Sequence, residues 1–138
     1  MKKRSSREKN KSGYDDLQDS VRQMKLPRIE VWENKYPDRE YWVEMDVPEF
    51  TCICPKTGLP DFAGLTIRYR PDQCCIELKS FKYYITAFRS LGIFHEHVVN
   101  RVLDDFVKAC RPRQASVRGV FNPRGGITTT VSAEYTRP

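Results

Sequence analysis

SFKYYITAFRSLGIFHEHVVNRVLDDFVKAC, residues 80–110, is the stretch on which the fold turns. Ser80 is the residue type that accepts hydrogen bonds from the free N–H groups of a first helical turn. After it the apolar positions Phe81, Tyr84, Ile85 and Phe88 recur at helical spacing until Gly92 stops the run. A second helix follows, in which Phe94, Val98, Val102 and Phe106, joined by Val99, Leu103, Val107 and Cys110, form one apolar face before Pro112 ends it. Two consecutive helices, each apolar on one side, need a common surface to cover.

The flanking residues supply that surface with a period of two instead of 3.6. Tyr41, Val43 and Met45 alternate with Trp42, Glu44 and Asp46, and Leu65, Ile67 and Tyr69 alternate with Thr66, Arg68 and Arg70. Pro71-Asp72 then turns the chain into Cys74–Leu78, which reads as an antiparallel hairpin with the preceding strand. Beyond the helices, Ala115–Phe121 and Ile127–Tyr135 read as two strands joined through Asn122-Pro123-Arg124-Gly125-Gly126. The segment Pro48–Ala63, with Pro48, Pro55, Gly58 and Pro60, reads as a rigid loop. The order β-β-α-α-β-β predicts an α+β domain, an antiparallel sheet with both helices on one face. Such a sheet has bare edges, and pairing them between copies of the chain would give a ring-shaped homo-oligomer with clefts between subunits.

Composition bounds the function. The 138 residues suffice for one domain, and no run of about 18 apolar residues is present to cross a bilayer, so a soluble cytosolic protein without a membrane partner is expected. The net charge of +6 is concentrated at one end: residues 1–11 hold six of the 24 basic residues and one of the 18 acidic ones, leaving +1 for the rest. Residues 1–26 are expected to be a flexible basic extension, and 27–138 the folded domain. No aromatic residue interleaves those charges before Tyr14, so direct nucleic-acid contact is not expected. The five cysteines, at 52, 54, 74, 75 and 110, are odd in number, and two are adjacent, which points to reduced thiols.

Three clusters carry chemistry. In Cys54-Pro55-Lys56-Thr57-Gly58-Leu59-Pro60-Asp61-Phe62 the prolines restrict a loop that presents a thiol and a carboxyl toward one point. A cation such as Lys56 would favour the thiolate, and Asp61 can exchange its proton; alternatively Cys54 is a small core residue and Asp61 a turn residue. In Glu77-Leu78-Lys79-Ser80-Phe81-Lys82, Lys79, Ser80 and Lys82 lie where a helix N-terminus favours anions such as cofactor phosphates, or they are solvated residues of an amphipathic helix. In His95-Glu96-His97, a buried Glu96 would accept paired hydrogen bonds from a guanine-type edge, though a glutamate in a first turn also suits the helix dipole. Zinc on His95 or His97 with the cysteines is disfavoured, because Cys-x-Cys is not the usual zinc pair; no metal is expected. The seven glycines form neither a dinucleotide fingerprint nor a phosphate loop.

Together, Phe50–Ala63, Glu77–Lys82, Phe94-His95-Glu96 and Pro123-Arg124-Gly125-Gly126, four motifs in order between Pro27 and Tyr135, resemble the NADPH-dependent 7-cyano-7-deazaguanine reductases, the nitrile reductases of queuosine biosynthesis. The resemblance implies the tunnelling fold, assembled into rings of stacked pentamers with sites between subunits. It implies that Cys54 adds to the nitrile carbon as a covalent thioimidate and that Asp61 donates the proton. Ile76, Glu77, Leu78, His95 and Glu96 would hold the small deazapurine, and Lys79, Ser80, Lys82 and Arg124 would hold NADPH. Leu59 stands where the commonest form of the loop has Gln, and the resemblance assigns no role to the basic extension. The alternatives are an amidine-forming enzyme acting on the same nitrile in tRNA, a zinc-dependent pterin enzyme on the same scaffold, and a non-catalytic RNA-binding module.

Overall fold

The computed structural model describes residues 25–138. A four-stranded antiparallel sheet is built from β2 (Val43–Ile53), β3 (Pro60–Arg70), β5 (Gln114–Arg124) and β6 (Ile127–Thr136), in the spatial order β2-β3-β5-β6. A second, two-stranded sheet pairs β1 (Val31–Glu33) with β4 (Cys74–Ile76). Helices α1 (Leu78–Ala87), extended by a 3-10 turn at Phe88–Ser90, and α2 (His95–Cys110) lie between β4 and β5 in sequence. The expected α+β class, with an antiparallel sheet and two helices, is what the structure shows.

Alternation in the strands decides which face the helices cover. Along β3 and β5, Ala63, Leu65, Ile67, Tyr69, Ala115, Val117 and Phe121 are buried while the residues between them are more open, so one side of the sheet is the core. Against it pack Phe81, Tyr84 and Phe88 from the α1 segment and Val98, Val99, Val102 and Phe106 from α2. Rings meet edge-on, Tyr69 on Phe106 at 4.8 Å and Phe81 on Phe106 at 5.9 Å between centroids. Gly119 lets α2 come down on the sheet: a Cβ there would meet Leu65, Phe121 and Val99 at 3.0 Å each. Arg111, in the left-handed region at φ 46°, turns the chain out of α2 ahead of Pro112.

Two expectations are corrected. Most of Pro48–Ala63 is strand and not loop, since β2 runs on to Ile53 and β3 starts at Pro60. Pro48 is tolerated because β2 is an edge strand and its register with β3 shifts between Val47 and Phe50; Pro60 is tolerated as the first residue of its strand. Nor does Cys74–Leu78 form a hairpin with β3. Both edges of β3 are already taken, by β2 and β5, so β4 leaves the sheet and pairs with β1. Asp72 fastens that departure, drawing in Arg113 and Arg137 from the far end of the chain. The expected basic extension lies outside the described residues except for Lys25 and Leu26, the latter packed against the core. No helix among the described residues is long and apolar enough to cross a membrane.

Candidate active site

With most of the proline-rich segment in strands, what remains between β2 and β3 is the tight turn 54–59. Cys54 N–H donates to Leu59 O and Gly58 N–H to Cys54 O, both at 2.9 Å, with Gly58 at φ 71°, where a side chain would be strained. Leu59 N–H donates to the Thr57 hydroxyl at 3.2 Å. Cys52 lies opposite Asp61 in the ladder, and Cys54, two residues on, opens the turn near enough to Asp61 for the carboxylate's charge to act on its thiol. The linker between the helices is pinned to the end of β2 by two bonds, Ile53 N–H to Leu91 O at 2.9 Å and Ile93 N–H to Ile53 O at 3.0 Å. Those two bonds fix the start of α2, and hence His95, beside the turn.

Asp61 is 4% exposed and sits between two basic groups. His95 Nε2 lies 3.1 Å from Asp61 Oδ2, and the imidazole is stacked flat on Phe121, with centroids 3.9 Å apart and planes 9° from parallel. Arg124 reaches across from the end of β5, donates to Pro60 O at 2.5 Å and lies against Asp61 Oδ1. That last contact is one of charge, because Oδ1 finds no donor in hydrogen-bonding geometry among the described residues.

The two thiols of the segment differ in kind. Burial pushes the Cys52 thiol up to about 12, and the charge of Asp61 adds to it, so Cys52 stays protonated and inert. Burial also raises the Cys54 thiol, but hydrogen bonds from the Thr57 hydroxyl and from the N–H groups of Thr57 and Lys56 outweigh it. The result is a thiol below its ordinary range, despite the opposing charge of Asp61. The Thr57 hydroxyl first and then the backbone of the turn, rather than the Lys56 ammonium, favour the thiolate. Cys54 is only partly buried, and a cleft of about 400 Å³ opens next to the turn, lined by Pro55, Gly92, Ile93, Phe94 and His97.

The other expected site residues lie elsewhere. Glu77, not Ser80, caps α1: its carboxylate accepts from Lys79 N–H at 2.8 Å and Ser80 N–H at 2.6 Å, and those bonds, Ser80 first, hold it below the usual carboxylate range. Ser80 is buried, its hydroxyl donating to Glu77 O and accepting from Glu30 N–H, both at 2.8 Å. Ile76 N–H donates to the Tyr69 hydroxyl at 3.1 Å, while Leu78, Lys79 and Lys82 are exposed. Tyr69 stands eight residues along β3 from Asp61, roughly 27 Å at 3.4 Å per residue, so one chain does not bring Glu77 to Cys54. Glu96 is exposed on the first turn of α2, where a buried carboxylate was expected. All five cysteines are free, and no three His, Cys, Asp or Glu side chains among the described residues are grouped to hold a metal ion.

Three contacts of this site escape a reading of the sequence: Phe121 under His95, Thr57 against the sulfur, and Arg124 against Asp61. The places of Phe121 and Arg124 depend on strand register, of which local sequence gives no sign, and that of Thr57 on how the turn folds back on the sulfur.

This α+β fold brings a thiol held below its ordinary range, a buried carboxyl and an imidazole together at one end of a helix-covered antiparallel sheet, a set of groups suited to nucleophilic catalysis. Residues 60–138 match the family described as QueF-like protein. The chain is 57% identical over 109 residues to the NADPH-dependent 7-cyano-7-deazaguanine reductase of Chlorobaculum tepidum, covering 79% of this chain and 93% of that protein. It is 54% identical over 111 residues to the protein of the same name from Elusimicrobium minutum, covering 80% and 83%. In fold it resembles the apo form of the archaeosine synthase QueF-Like, with a TM-score of 0.63 at 22% identity over 67% of this chain and 91% of that one. The chain belongs to the QueF-like family of 7-cyano-7-deazaguanine reductases.

Proposed function

We propose that this chain is the oxidoreductase that reduces the nitrile of 7-cyano-7-deazaguanine to the aminomethyl group with NADPH, in queuosine biosynthesis. The observation that carries the reading is the pairing of a partly buried thiol biased toward thiolate with a buried carboxyl in hydrogen-bond reach of an imidazole. Support also comes from relatives of that name at more than half identity.

Cys54 Sγ adds to the electrophilic nitrile carbon, Asp61 passes a proton to the nitrile nitrogen, and the product is a thioimidate on Cys54. His95, held flat by Phe121, keeps the Asp61 carboxyl aimed at that point. NADPH, when bound, supplies the two hydrides that take the nitrile carbon to the amine level. Lys79 and Lys82, exposed on the first two turns of α1 and in no ion pair among the described residues, have the charge and position to hold its phosphates. Glu77, with lone pairs left beyond its two backbone bonds, and the exposed Glu96 would take the N–H edge of the base. For Glu77 to do so beside Cys54, a second copy of the chain must contribute it, which makes a homo-oligomer with sites between subunits part of the proposal. Five free thiols suit the reducing cytoplasm.

The test is NADPH oxidation on adding the free nitrile base, with two NADPH consumed per nitrile and a primary amine formed. An amidine product without NADPH consumption would refute the reading.

A further inference from the structure

Asp61 poses a problem of charge that the resemblance does not answer. A carboxylate buried this deeply needs a counter-charge, because an unpaired anion inside a protein costs several kcal/mol. The groups that face it are Cys52 and Cys54 from β2 and its turn, His95 from α2 and Arg124 from β5. The cysteines bring no positive charge, and an imidazole can hydrogen-bond the carboxylate while neutral. Arg124 is the one permanent cation of the set. Its position is unusual as well: pairing between β3 and β5 stops at Ala63 and Phe121, and beyond that point the Arg124 side chain spans the gap to Pro60 and Asp61. The Gly125-Gly126 turn that follows, with φ of 56° and 77°, sets the end of β5 from which it reaches.

We propose that Arg124 is a positioning residue for proton transfer: its guanidinium lets Asp61 stand as an anion inside the fold, so that Asp61 opens the cycle as proton acceptor from Cys54. The step balances without any other reactant. The Cys54 S–H proton moves to the Asp61 carboxylate, the S–C bond forms as one π bond of the nitrile breaks, and Asp61 returns the same proton to nitrogen. Asp61 is again an anion beside Arg124 when the thioimidate is complete. This role rests on the nitrile reading for its substrate, and it differs from a role of Arg124 on a cofactor phosphate, which would leave events before cofactor binding untouched.

Formation of the Cys54 adduct with the nitrile base is therefore followed by mass without NADPH, alongside the infrared carboxyl bands of protein labelled with 13C at the aspartate carboxyl. Arg124→Met should slow the adduct about a hundredfold and show, at neutral pH, a protonated-carboxyl band that Asp61→Asn removes. Arg124→Lys, keeping the charge, should recover most of the rate and lack the band. Adduct formation by Arg124→Met at the wild-type rate, or no protonated band in that variant, would overturn the proposal. If Arg124→Met does not fold, Arg124→Gln, which can still bond Pro60 O, gives both readings. If the wild-type protein forms no adduct, the nitrile reading fails while the infrared comparison still decides the role of Arg124.

Discussion

The two ends of β3 present acidic side chains under opposite conditions. At the Pro60 end, Asp61 is buried and flanked by His95 and Arg124, and it faces a thiol that the turn biases toward thiolate. At the other end, beyond Tyr69, Glu77 is half-buried and its carboxylate caps the first turn of α1 with two backbone bonds. The first end is assembled by one chain from four elements; the second is a helix terminus with cations beside it. Chemistry at the first can thus be tested with one protomer's residues alone, whereas the recognition proposed for the second would need a second copy of the chain.

Substitutions should separate the ends. Asp61→Asn should slow thioimidate formation by roughly 10²–10⁴-fold, the usual contribution of a positioned acid–base group, measured as cofactor-free adduct formation. Glu77→Gln should leave the intrinsic alkylation of Cys54 by iodoacetamide unchanged while weakening substrate binding, and equal losses in both assays would erase the distinction. Gly119→Ala forces a methyl among Leu65, Phe121 and Val99 and should cost about 1–3 kcal/mol in denaturant unfolding, disturbing the His95 stack at the first end only.

Thr57→Val removes the hydroxyl that helps hold the Cys54 thiol low, so the pH midpoint of Cys54 alkylation should move up; Thr57→Ser should restore it. The smallest effect belongs to Asp72, whose carboxyl is held low first by Arg137 and then by Gln73 and Arg113. A depressed carboxylate stabilises above its unfolded value, near 3.9, and loses that contribution as pH falls through the folded one. Asp72→Asn should therefore cost less than about 1 kcal/mol at neutral pH, and the difference from wild type should vanish in acid.

The helical pair and the β5–β6 hairpin were legible because their signals are local: a 3.6-residue apolar period in α2, and a Gly125-Gly126 pair where both residues need positive φ. Cys54 and Asp61 were legible as a pair because a turn of six residues keeps them close whatever the rest of the chain does. Pro48 and Pro60 misled, since proline marks a loop except on an edge strand or at a strand's first position, and neither property is visible before the sheet order is known. Ser80 looked like the cap because its residue type is commoner there, while Glu77 reaches both N–H groups from three residues earlier. Phe121 and Arg124 join the site through register across the sheet, and Glu96 lies on the solvent side of α2's first turn; both facts belong to tertiary packing.

The central claim is best tested by mixing the protein with the free cyano base without NADPH and weighing the intact chain. The account predicts one adduct per chain with the full mass of the base, mapped to Cys54, lost in Cys54→Ala and kept in Cys52→Ala. An adduct that survives Cys54→Ala, or the absence of any adduct in the wild-type protein, would contradict it.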